Sequence, residues 1–386
     1  MKSVKLNLFS RVLCAAMLSF GLVLTSCGGT QSNSNTNNNA TGLSGSESAN
    51  CYIVSSAGSY MFRTVQGNSS TSVGRVASAE ALWESFGTDV APNVGDLIKS
   101  VSYSDGYIYF QTADTFREGN AVIAAKDAEG NILWSWHIWF TDQPQGQVYY
   151  NDAGTMMDRN LGATSATPGD VGALGLLYQW GRKDPFLGSS SIRYESMADA
   201  KSTITWPSAV ESTPTTGTIS YATAHPTTFI TYSYDHLSST NRNNDWYFTG
   251  LRLTDNTRWT TSNKTKSIYD PCPAGWRVPD GGSYGVWSKA SGSTLGFEHT
   301  FSSSNEGMNF SGKFGSASTI WYPASGYRYY GDGSLYSVDY EGYYWSASPS
   351  NGNAYCLGFN SNGYVNPSYG NYRAYGQSVR CLQESK

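Results

Sequence analysis

The sequence predicts a β-rich α+β protein, and three observations carry the prediction. Charged residues make up 14% of the 386 positions, where soluble proteins average about 25%. Aromatics also reach 14%, with 28 Tyr and 12 Trp, residues that fit a pleated, half-buried surface. Finally, 41 Gly and 13 Pro punctuate the chain as turns do. Low charge argues against coiled coils and long helical bundles, and the aromatic content argues against global disorder. The length allows two to three domains at about 150 residues each. Basic residues number 25 against 29 acidic, a net charge of −4. No clustered basic surface of the kind nucleic acid demands is present, so no nucleic-acid partner is expected.

The first element is a targeting segment, residues 1–27. Lys2, Lys5 and Arg11 precede an apolar run over 12–24, which is shorter than the ~20 residues of a spanning helix and suits a signal peptide. Leu24-Thr25-Ser26-Cys27 then resembles a bacterial lipoprotein signal. The resemblance implies a lipidated Cys27 as the mature N-terminus, held in a membrane by acyl chains at ~0.8 kcal/mol per buried CH₂. Gly28 after the cysteine implies the outer membrane, on its cell-surface or periplasmic face. Residues 28–49 are mostly Gly, Ser, Thr and Asn, bury little apolar surface, and are expected to form a flexible tether.

Residues 50–144 read as an antiparallel β-sandwich module. Tyr107 to Thr112 and Asn120 to Ala125 have strand composition, Lys126 to Asn131 reads as a hairpin turn, and Ile132 to Phe140 as a long strand. Period-2 alternation puts Trp134, Trp136, Ile138 and Phe140 in the core and His137 on the other face, where it is expected as a rim histidine. Ala79, Leu82, Trp83 and Phe86 fit a helical spacing, yet ALWESF also serves as a strand, the preferred reading in a β context.

Residues 145–386 contain TMMDRNLGA (155–163), LLYQWGRKDPF (176–186), YDPCPAGWRVPD (269–280), GYYWSAS (342–348) and SVRCL (378–382). In order and spacing these segments resemble the Fibrobacter succinogenes major paralogous domain family, found in secreted and surface proteins of Bacteroidetes. The resemblance implies a C-type-lectin-like fold, a twisted sheet with few short helices and long loops. It also implies a disulfide between Cys272 and Cys381, which lie in the family's opening and closing motifs. Cys51 and Cys356 are then a second bridge or free thiols, free thiols being preferred. Asp280 is expected to cap a helix with Trp287 on its buried side, starting late because Gly281 and Gly282 follow. Residues 187–268 are expected to be a long insertion ordered by Trp206, Trp246 and Trp259.

No H-E-x-x-H, G-x-S-x-G or phosphate-binding loop occurs. The four histidines, 137, 225, 236 and 299, are scattered. The Glu-Pro-Asn, Gln-Pro-Asp and Trp-Asn-Asp tripeptides of calcium-dependent lectins are absent; Asn244-Asp245-Trp246 has the letters in another order. No catalytic residue, metal or cofactor is expected. Between Trp321 and Tyr375, tyrosines alternate with Asn, Ser and Gly, the composition that gives antibody loops rigid contact area with adaptable hydrogen bonds. Tyr327, Tyr329, Tyr364, Asn366, Tyr369 and Tyr372 are the candidate contacts, with the stretch around 360–376 read as turns and loop. The sequence therefore points to a lipid-anchored, non-catalytic, glycan- or glycoprotein-binding or adhesive protein. The alternatives are a carbohydrate-active or modifying enzyme on the same scaffold and a structural, fimbria-associated envelope subunit.

Overall fold

The computed structural model describes residues 39–192, 197–233, 245–248, 255–261, 263, 265–292, 298–311, 314–317 and 319–385. Cys27, His236 and Asn244 lie outside these. Strands dominate the described residues and the α-helices are short, as the composition predicts.

The N-terminal sandwich is present. In chain order its strands are β1 (Thr41–Gly42), β2 (Cys51–Val54), β3 (Ser59–Arg63), β4 (Ser78–Ser85), β5 (Ile98–Ser104), β6 (Tyr107–Thr112), β7 (Gly119–Lys126) and β8 (Ile132–Phe140). One sheet runs β1-β3-β6-β5 and the other β2-β8-β7-β4. Residues 81–85 of ALWESF lie in strand β4, as preferred, and Phe86 follows its end. The β7–β8 turn closes because the Asp127 carboxylate accepts the amides of Glu129 (3.1 Å) and Asn131 (2.7 Å), a local side-chain substitute for turn backbone bonds. The sandwich is not purely antiparallel: β1 pairs with β3, and β2 with β8, in parallel.

The expected tether ends earlier than residue 49. Residues 39–49 belong to the sandwich, held by the pairing of β1 with β3, by Leu43 and Ala49 in its core, and by serine hydroxyls. Ser44 Oγ accepts the amide of Arg63 (2.9 Å) and lies 3.2 Å from Tyr52 Oη, while Ser48 Oγ donates to the Ser69 carbonyl (2.6 Å). Low hydrophobicity was a poor guide here because hydrogen bonding to an existing strand edge orders the segment.

β8 is buried on both faces. Trp134, Trp136, Ile138 and Phe140 fill the sandwich core with Phe62, Ile108 and Phe110, as alternation predicts. The other face enters a core shared with the C-terminal module, where Trp83, Val122 and Trp139 join Trp180, Trp259, Trp345 and Cys272. Polar side chains stitch this seam. Trp139 Nε1 donates to the Ala163 carbonyl (2.9 Å), Asn120 Nδ2 to the Gly162 carbonyl (2.8 Å) and Asn50 Nδ2 to the Asp270 carbonyl (2.9 Å).

The C-terminal strands are β9 (Gly146–Tyr149), β10 (Gly154–Met157), β11 (Leu177–Gln179), β12 (Val210–Glu211), β13 (Ile230–Thr231), β14 (Trp276–Arg277), β15 (Glu298–Ser302), β16 (Gly307–Ser311), β17 (Thr319–Pro323), β18 (Tyr327–Arg328), β19 (Leu335–Tyr336), β20 (Glu341–Ser350), β21 (Asn353–Asn360), β22 (Val365–Asn371), β23 (Gly376–Ser378) and β24 (Leu382–Gln383). The main sheet runs β19-β18-β23-β20-β21-β22, with β11 also on β23. Smaller sheets, β14-β24-β10-β9 and β15-β16-β17, flank it. Among the described residues the α-helices are α1 (Ile219–Ala224) and α2 (Val286–Ser291), both short.

Trp287 is buried on α2, as expected, with its Nε1 donating to Tyr322 Oη (3.0 Å). Asp280 is not its cap. The N-cap is Gly285 with no side-chain bond, and Asp280 instead accepts from Arg277 Nη2 (2.6 Å). In the insertion, Trp246 Nε1 donates to the Trp180 carbonyl (2.8 Å) and Trp259 Nε1 to the Arg182 carbonyl (3.0 Å). These aromatics tie the insertion to the WGRKD segment, and the short β12–β13 pair and α1 add regular structure. Cys272 and Cys381 form a disulfide, and Cys51 and Cys356 are free and buried.

Candidate ligand-binding face

The tyrosine-rich region gathers on one end of the main sheet. β18 begins after Gly326, whose φ is +62° and whose Cβ would stand 2.2 Å from the Tyr336 carbonyl oxygen. Only glycine fits that turn, and it brings the Tyr327 ring parallel to Tyr336 at 6.1 Å. Alternation then puts Tyr327 and Tyr329 on one face and Arg328 on the other. Arg328 is buried, donating to Asp199 Oδ2 (2.8 Å) and to the Leu187 and Gly333 carbonyls.

Ring contacts spread from there. Tyr327 meets Tyr343 at 5.6 Å and Tyr375 at 5.2 Å, each edge-on. Tyr329 meets Tyr330 at 4.4 Å, and Tyr330 meets Tyr372 at 5.2 Å and Tyr375 at 4.8 Å. Tyr343 meets Tyr369 at 5.8 Å. The rings are half-buried except Tyr336, which is exposed. Edge-to-face pairs of this kind add about 0.5–1.5 kcal/mol each beyond area burial, so the face is rigid before any ligand arrives.

The structure thus brings together four of the six predicted contacts, Tyr327, Tyr329, Tyr369 and Tyr372. Tyr364 and Asn366 form their own pair, Asn366 Nδ2 donating to Tyr364 Oη (3.2 Å), with Tyr364 49% exposed. Residues 361–363 and 373–375 are turns, as read, but the stretch between is a strand rather than loop: β22, which begins just after Tyr364, lies antiparallel to β21 along the sheet edge. Pro367 is admitted because the pairing shifts register between Cys356 and Gly358, opposite that proline, and an edge bulge needs no amide there. Tyr343, from the GYYWSAS motif, joins the face although it is not among the predicted contacts. Trp345, in the same motif, is fully buried, with Nε1 donating to the Tyr178 carbonyl (2.8 Å).

Burial pushes the phenols of Tyr327, Tyr343, Tyr369 and Tyr375 up, with neighbouring acids and tyrosines adding to it. For Tyr330 the hydrogen bond with Tyr329 is the leading cause. The face therefore presents neutral hydroxyls that donate and accept, over apolar rings. Glu341 is the charge that acts on it.

The rim reading of His137 is corrected. It is 2% exposed at the seam, over Trp139. Asn120 spends its Nδ2 on Gly162, so its Oδ1 faces His137 Nε2 at 2.8 Å. Nε2 therefore carries the hydrogen, and Nδ1 is buried without a partner among the described residues. Burial pushes this imidazole down to about 3. Nearby, Lys183 Nζ donates to Asp184 Oδ1 (2.6 Å) and to Ser135 Oγ (2.5 Å) and O (3.0 Å), all buried. Sequence gave no sign of this cluster, because its members are 48 residues apart.

The chain matches no protein-family model, no curated protein and no solved structure.

Proposed function

We propose that this chain is a lipid-anchored envelope protein whose C-terminal module binds a glycan, or the glycan part of a glycoprotein, without chemical turnover. Cys27 anchors it to the outer membrane, and the module is of the Fibrobacter succinogenes major paralogous type on a C-type-lectin-like scaffold. The observation that carries the reading is the continuous tyrosine face. Apolar rings already fixed against one another offer stacking planes for the C–H faces of sugars, and their neutral hydroxyls offer hydrogen bonds at little further ordering cost. A few such contacts give affinities in the micromolar to millimolar range, about −4 to −8 kcal/mol.

A glycan array probed with the full-length protein in detergent, with and without EDTA, tests this. Binding that survives EDTA supports the reading. Loss of all binding in EDTA, or no retained glycan, overturns it.

A further inference from the structure

A cleft of about 740 Å³ opens where residues 46–48 and the β3 end of the sandwich meet the close of the C-terminal module. None of its lining residues belongs to the tyrosine face. The volume lies within the ~300–1,000 Å³ range of small-ligand sites.

Trp276 supplies its aromatic wall. One side of the indole packs on the shared core, and the residue is half-buried. Its backbone is held on three sides: its amide donates to the Pro273 carbonyl (3.1 Å), its carbonyl accepts from Lys266 Nζ (2.6 Å), and its strand pairs with Gln383. Gly275, at φ +76°, makes the turn that delivers it. The ring is thus a fixed platform.

Three charged groups around it are unspent. Among the described residues, the Arg63 guanidinium and the Glu47 and Glu384 carboxylates have no hydrogen-bond or ion-pair partner. Lys266 differs, its three donors all being used on the Cys272, Pro273 and Trp276 carbonyls. Two cations thus stand with two anions, so the cleft favours neither an anionic nor a cationic ligand. Guanidinium and carboxylate groups are planar and bidentate, matching vicinal hydroxyls. One fixed indole ringed by such groups suits a pyranose better than an apolar peptide side chain. We infer that this seam cleft is a second binding site, for a neutral oligosaccharide of two or three sugar rings, with Trp276 as stacking platform and Arg63 and Glu384 as hydroxyl ligands.

The test is indole N–H NMR on the full-length protein in detergent, with Trp276→Phe assigning the Trp276 signal. The probes are cellotriose, maltotriose and triacetylchitotriose. One of them should shift the Trp276 signal, with a Kd of about 0.1–1 mM. Arg63→Ala, which leaves the platform in place, should weaken binding about tenfold or more. Trp276→Ala should abolish it. Tyr364→Ala/Tyr372→Ala should leave it unchanged, which separates this site from the tyrosine face. No shift with any trisaccharide at millimolar concentration overturns the inference. So does undiminished affinity in Arg63→Ala, or a shift produced by a tripeptide instead.

Discussion

Removing the Cys272–Cys381 disulfide should cost this protein about as much as truncating a fully buried tryptophan of its core. The bridge joins residues 109 apart. Constraint of the unfolded chain by a loop of that size is worth about 4.7 kcal/mol on the chain-entropy account, and measured losses run about 2–5 kcal/mol. Both cysteines are fully buried in the core shared by the two modules, beside Trp345 and Val379. The loop they close carries most of the main sheet, so the loss should be felt by the whole fold. Cys51 and Cys356 lie in the same core, so the experiment belongs in a Cys51→Ala/Cys356→Ala background that forbids re-pairing. Urea unfolding of Cys381→Ala in that background should show the full loss. Adding Cys272→Ala should then cost little more, because the cross-link is already gone. A loss under about 1 kcal/mol, or two additive losses, refutes the reasoning, as does peptide mapping that joins Cys356 to Cys381.

Lys183→Met should destabilise by about 3–5 kcal/mol, because it strands the buried Asp184 carboxylate. Lys183→Met/Asp184→Leu should recover much of that in urea melts, and a single variant as stable as wild type contradicts the seam. Acidification should act on two buried groups in opposite senses. His137 is held down to about 3 by burial, so its stabilising contribution is present above about pH 6.5 and is lost as pH falls. Asp270 is pushed up to about 6 by burial, against the pull of Lys266 and the Val278 and Cys272 amides. Its contribution is present below about pH 4 and is lost as pH rises through 6. Between pH 7 and 5 the two offset, so His137→Gln should gain about 2 kcal/mol relative to wild type over that interval; parallel pH profiles refute the assignment. Cys27→Ala should leave an unprocessed, mislocalised precursor in membrane fractionation, and normal processing refutes lipidation.

How much of this was legible in the sequence depended on the range of the interaction. Strands β6, β7 and β8 follow from alternation and turn chemistry within ten residues, and the structure holds them as read. Burial of β8's second face does not follow, since it depends on residues such as Ala163 and Asp184 that no local pattern links to it. The same limit hid the ordering of residues 39–49, where serine hydroxyls meet β3 and a loop. It also made His137 look like a rim residue. β22 looked like loop because Pro, Gly and Asn dominate it, and only the edge position and register shift explain its strand. The tyrosine face was legible as a density of residues. Tyr343 joined it only when Gly326 turned β18 against β20. The lining of the Trp276 cleft was not legible, because it comes from the two ends and the middle of the chain.

The central claim is that the fixed tyrosine face holds a glycan. Its most direct test is calorimetric titration of the strongest array ligand into full-length wild type and Tyr327→Ala/Tyr329→Ala, with thermal unfolding of each recorded in parallel. The account predicts at least about tenfold weaker binding, a loss of about 1.4 kcal/mol or more, in a variant that still unfolds cooperatively. Unchanged affinity in that folded variant would contradict it.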